Sequence, residues 1–135
     1  PMTEPVPIID THQHLWDLTK FRLPWHETEE GADVLRKSYL MEDYFAATKG
    51  LNVVQTVYME VDVAPEQQDA EADYVLALCR QNDNPMAGAV ISGRPAQAKA
   101  FAKYMERFAD NKLIKGVRQV LHGPSTPAGY CTGQE

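Results

Sequence analysis

Two histidines two residues apart, His12 and His14, are the side chains whose type and spacing most directly permit chemistry. They follow Ile8 and Ile9, a β-branched apolar pair that reads as the opening of a buried strand. Alternate residues of a strand share a face, so His12 and His14 project side by side while Thr11 and Gln13 turn away. Two imidazoles aimed at one point can hold a divalent metal. Asp10 lies on the same face, where it can orient one imidazole from behind or serve a loop or cap instead. Glu60 ends a second apolar run, as a pocket group or a solvated edge charge. Arg118 interrupts a run of apolar residues, and a buried guanidinium needs an anion or carboxylate. His122 sits in a Gly/Pro loop, where a surface role and a ligand role both stay open. Trp25 is either a packing residue or one wall of a pocket.

These residues need a frame. The Val/Tyr/Thr-rich stretch 51–60 predicts a strand, as do the apolar runs 87–91 and 114–121. Helices are expected between them. The first is a short one over 40–49, closed by Gly50. The second is opened by Pro65, with Ala72, Val75, Leu76 and Cys79 at helical spacing. The third covers 96–110, with Ala98, Phe101, Ala102, Met105, Phe108 and Ala109 on one side. Residues 18–37 show no sustained period and predict a long loop with aromatic residues Phe21 and Trp25, of the kind that often forms a lid. Strands alternating with helices imply an α/β fold with a parallel sheet covered on both faces. Parallel β/α proteins carry their sites at the C-terminal ends of strands. His12, His14, Glu60 and Arg118 all fall there, with His122 just beyond.

Composition narrows the partners. The chain has 135 residues, 44% hydrophobic, enough for one core. A net charge of -6 and scattered Lys and Arg argue against nucleic acid. No apolar run approaches the roughly 20 residues of a membrane span, and the N-terminus lacks the basic-then-apolar order of a leader. Cys79 and Cys131 stand far apart in no metal-binding spacing, as free thiols of a reducing compartment would. The expectation is a cytoplasmic protein with a small-molecule substrate, no nucleic acid and no membrane.

The stretch Ile9-Asp10-Thr11-His12-Gln13-His14-Leu15-Trp16-Asp17, followed by Leu23-Pro24-Trp25, resembles the start of the amidohydrolase superfamily. The likeness is to the amidohydrolase-2 branch, which holds L-fuconolactonase-like and other sugar or dicarboxylate lactonases. Val57-Tyr58-Met59-Glu60-Val61 is similar to that branch's second strand, and Lys115-Gly116-Val117-Arg118-Gln119 to its fourth. The resemblance implies a (β/α)8 TIM barrel and hydrolysis of a small lactone. It implies a divalent metal, often zinc, on His12 and His14, although some lactonases of the branch use the same histidines to polarise the carbonyl without a metal. It makes Arg118 the group that binds a substrate carboxylate or the lactone oxygen, with Trp25 and Glu60 in the pocket wall. A metal-dependent decarboxylase of the same superfamily, acting on an aromatic acid, is the alternative.

A whole barrel takes roughly 250 residues and eight strands, and four strands are read here. The expectation is that 1–135 is the N-terminal half of a single barrel domain, ending after the fourth strand. The family's later histidines and its eighth-strand aspartate then lie elsewhere. Half a barrel exposes a sheet face and two edges. That favours a homo-oligomer or association with the missing C-terminal half, and it leaves open an inactive fragment that acts only by association.

Overall fold

The computed structural model describes residues 5–28 and 30–122. Four strands form one sheet: β1 (Ile8–Gln13), β2 (Val53–Met59), β3 (Met86–Ser92) and β4 (Ile114–Arg118). Their spatial order is β1-β2-β3-β4 and each neighbouring pair is parallel. This is the arrangement of the first half of a (β/α)8 barrel, and it bears out the α/β reading. The helices are α1 (Trp25–Thr28), α2 (Met41–Ala47), α3 (Gln68–Cys79) and α4 (Ala98–Glu106).

Register decides which side chains share a face. Tyr58 lies opposite Ala89, and Ile91 opposite Val117; Met59 lies opposite Val90, and Ser92 opposite Arg118. Thr56, Tyr58, Ala89 and Ile91 are all essentially inaccessible and form the core with Ala72, Val75 and Leu76 of α3 and with Phe108. A buried polar pair crosses the same side of the sheet, where the Thr56 hydroxyl donates to Gln13 Oε1 at 2.9 Å. The opposite face takes Met59, Val90 and Arg118.

α3 forms where expected. Pro65 opens a 3₁₀ turn leading into it, and Asp69 and Glu71 sit in its first turn, where negative charge suits the helix dipole. Gly50, just past α2, has φ 88°, the left-handed conformation that glycine adopts without strain. Gly88 is needed for a different reason. A Cβ there would stand 2.6 Å from the Leu113 carbonyl oxygen, so β3 and β4 can approach only without one.

Three expectations change. Residues 18–37 are not one irregular loop, because α1 and a 3₁₀ turn (Ala32–Leu35) punctuate them, and Trp16 and Tyr39 exchange backbone hydrogen bonds at 2.9 Å across their base. Elements of four residues are too short to leave an apolar period in a sequence. In α4, Phe101, Tyr104 and Met105 are half-buried and Tyr104 packs against the core, while Ala98 and Ala102 are exposed. Alanines carry too little apolar surface to force a side of a helix inward. Finally, β1 is not covered on both faces. Among the described residues it is an edge strand with β2 as its one neighbour, and Ile9 is 58% exposed. No helix of the described residues is long and apolar enough to cross a membrane. Cys131 and the Gly/Pro-rich tail lie outside the described residues. Cys79 is a half-buried free thiol that burial pushes up from its ordinary pKa, which leaves it a poor nucleophile.

Candidate functional site

β1 ends at Gln13, and its alternation delivers both histidines to one place. The Nε2 atoms of His12 and His14 lie 3.1 Å apart, with the rings nearly perpendicular at 4.8 Å between centroids. His14 Nδ1 lies 2.9 Å from the Met59 carbonyl on β2. A carbonyl oxygen only accepts, so Nδ1 carries the hydrogen and the Nε2 of neutral His14 is a lone pair facing His12. Burial, together with the nearby charges of His12 and Arg118, lowers the His14 pKa against the opposing hydrogen bond to Met59. His14 is therefore held neutral, in the tautomer that a metal or a proton donor requires.

Asp10 departs from the imidazole-orienting role considered above. Its Oδ1 accepts from the backbone N–H of His12 at 3.0 Å and its Oδ2 from the Tyr44 hydroxyl of α2 at 2.8 Å. The carboxylate thus fixes the β1 backbone, and the Met59 carbonyl orients the ring of His14. A backbone carbonyl carries no sequence signature, so no residue type advertised this contact.

Glu60 and Arg118 are brought together. Arg118 Nε donates to Glu60 Oε1 at 2.6 Å and its Nη2 to the Glu60 carbonyl at 2.7 Å. Glu60 has no accessible surface, while the Arg118 side chain is 30% exposed. The guanidinium is near enough to His14 to act on its charge. Trp25 reaches the same region from α1, its indole N–H donating to the Val61 carbonyl at 2.9 Å. It packs edge-on against Trp16 and His26. His122 is exposed, beyond the end of β4.

Sequence reasoning passed over Arg94 and Asp62. Arg94 follows β3, and its Nη2 donates to Asp62 Oδ1 at 3.0 Å. Asp62 has φ 51°, unusual for a residue with a Cβ, and its N–H donates to Glu60 Oε2 at 2.8 Å. Arg94, at the C-terminal end of a strand, carried the same positional signal as Arg118.

The His12–His14 pair suits a divalent cation. Both Nε2 atoms can reach one ion at the roughly 2.0–2.1 Å of a zinc–imidazole bond. Among the described residues no group of three or more His, Cys, Asp or Glu side chains is placed to complete such a site. Among the described residues the pair supplies two nitrogen donors, whereas a catalytic zinc takes about three protein ligands.

Residues 9–130 match the family model described as Amidohydrolase. The chain is 30% identical over 127 residues to the uncharacterized protein y4mH of Sinorhizobium fredii, an alignment covering 87% of this chain and 41% of that protein. Among solved structures it is similar to amidohydrolase 2 from Bifidobacterium longum subsp. infantis, with 32% identity and a TM-score of 0.50. That match covers 66% of this chain and 33% of the other. The chain thus spans less than half the length of either relative.

Proposed function

The chain belongs to the amidohydrolase family, and from that premise we propose that it is the N-terminal half of a barrel enzyme that hydrolyses a small sugar or dicarboxylate lactone. The observation that carries the reading is the pairing of His12 and His14 at the C-terminal end of β1, with the Arg118 guanidinium close by. Further strands, from a second polypeptide or another segment, complete the pocket; the exposed β1 edge supports such an association.

Each group has a separate task. His14, neutral and held by Met59, offers its Nε2 lone pair. His12 donates to that lone pair, or to a carbonyl oxygen placed between the two rings. Arg118 binds a carboxylate of the substrate or the ring oxygen of the lactone, and Trp25 closes one wall. A divalent ion such as zinc, when held by His12 and His14, would polarise the carbonyl or acidify a water.

The test is proton release from sugar-acid and dicarboxylate lactones by the intact protein and by His12→Ala. The lactonase reading expects turnover that falls by roughly 10²-fold or more in the variant, the scale of losing one electrostatic stabiliser. Carbon dioxide release from an aromatic acid, with lactones left intact, would replace it with the decarboxylase reading.

A further inference from the structure

Glu60 is too deeply buried to touch a substrate, yet it holds a charged group that can. Arg118 spends its Nε and Nη2 on the Glu60 carboxylate and carbonyl. These two nitrogens form the lateral edge of a guanidinium. The Nη1/Nη2 end remains, and among the described residues Nη1 makes no hydrogen bond. A guanidinium is a rigid planar fork, so fixing one edge fixes the direction of the other. We propose that Glu60 is a positioning residue, which occupies the lateral edge of Arg118 and thereby aims its terminal fork at a substrate carboxylate beside the His12–His14 pair.

The surroundings of Glu60 fit this role and not that of a simple counter-ion. Its two carboxylate oxygens have different partners, with Oε1 accepting from Arg118 and Oε2 from the Asp62 N–H at 2.8 Å. Its backbone N–H donates to the Val90 carbonyl of β3 at 3.0 Å. Asp62 holds its left-handed conformation with its side chain tied to Arg94, whose Nη1 is tied in turn to the Ser92 hydroxyl and the Gly93 carbonyl. The carboxylate that aims Arg118 is itself fixed from both sides. Glutamine could satisfy one of the two donors but not both, and aspartate is one methylene too short to reach from the same backbone.

This proposal rests on the reading of Arg118 as the anion binder, but its test needs no lactone turnover. Malonate is the probe, titrated into the protein while the Nε–H and Nη resonances of Arg118 are followed by nitrogen-15 NMR. In the unmodified protein malonate should move the Nη signals and leave the Nε–H, held by Glu60, in place. Glu60→Gln removes a negative charge, so electrostatics alone would tighten malonate. Positioning requires the opposite, a loss of roughly tenfold in affinity, which corresponds to one charge-assisted hydrogen bond. Equal or tighter binding by Glu60→Gln overturns the proposal. So does absence of malonate binding at Arg118, or displacement of the Nε–H signal in the unmodified protein. Should Glu60→Gln fail to fold, the unmodified titration decides alone. Failure to hydrolyse lactones would count against the lactonase reading and leave this result standing.

Discussion

Glu71 makes the stability of this protein fall as pH rises toward neutrality. Its side chain is 2% exposed, on the core side of α3. Oε1 accepts from the Tyr58 hydroxyl at 2.8 Å and the Val61 N–H at 2.9 Å, while Oε2 is buried without a hydrogen bond among the described residues. Burial raises the carboxyl pKa from 4.5 to about 7, against the lowering effect of those two donors, with Glu60 and Asp62 adding like charge. A raised folded-state value means that the folded protein holds a proton the unfolded chain releases. The stabilisation is complete below pH 4.5 and is lost as pH climbs through about 7. At about 1.4 kcal/mol per unit, the loss comes to about 3 kcal/mol, and near-complete burial leaves little solvent screening to reduce it. Glu71→Gln keeps an oxygen for Tyr58 and Val61 and cannot ionise. Urea unfolding of both proteins from pH 4 to pH 8 measures the difference. The variant should gain on the parent by about 3 kcal/mol across that range, whatever pH-independent offset its amide introduces. Taking the difference cancels the titrating groups that do not interact with Glu71, including His14, whose lowered pKa works in the opposite direction by withdrawing stability as pH falls below 6.5. A difference that stays flat with pH would refute the protonated state of Glu71.

Two further outcomes follow from the geometry. Dialysed against zinc and then buffer, the protein should retain metal that His12→Ala and His14→Ala each lose; equal zinc content by atomic absorption in all three would remove the ligand assignment. Gly88→Ala should cost about 1–3 kcal/mol in chemical denaturation, because its Cβ would meet the Leu113 carbonyl, which belongs to the backbone, and not only the yielding Lys115 side chain; a neutral substitution would show that β4 can move away from β3.

The sequence carried the strands because β-branched and apolar residues cluster in them, as at Ile8–Ile9 and across 51–60, and it carried the histidine pair because residues two apart in a strand share a face. It carried Arg118 because a charge amid apolar residues is conspicuous. The short elements at 25–28 and 32–35 left no such mark, since four residues cannot express a helical period. The true partners of Asp10 and His14 were equally silent. One is a backbone N–H with the Tyr44 hydroxyl, the other a backbone carbonyl, and neither requires a particular residue type on the backbone side. Glu60 read as either a pocket-wall group or a solvated edge charge, and not as the buried partner of Arg118, because a sequence cannot tell an open strand end from one sealed by a residue 58 positions further on.

The contact of His14 and the seal on Glu60 meet in one place, the four residues from Met59 to Asp62. The Met59 carbonyl sets the tautomer of His14, just past the end of β1. Glu60 holds Arg118 on β4. The Val61 carbonyl takes the indole of Trp25 in α1, and the Val61 N–H goes to Glu71 in α3. Asp62 ties Arg94 at the end of β3. Each of the four strands and two of the helices therefore meets at the exit of β2. A shift of this tetrapeptide would misalign the histidine pair and the arginine together, whereas a change at any one outer partner leaves the remaining anchors in place. This explains why a left-handed Asp62 is tolerated there: strain of the order of 1–3 kcal/mol is spread over anchors that fix the backbone from several directions. Through the Val61 N–H, the ionisation of Glu71 also acts on the segment that aligns these groups.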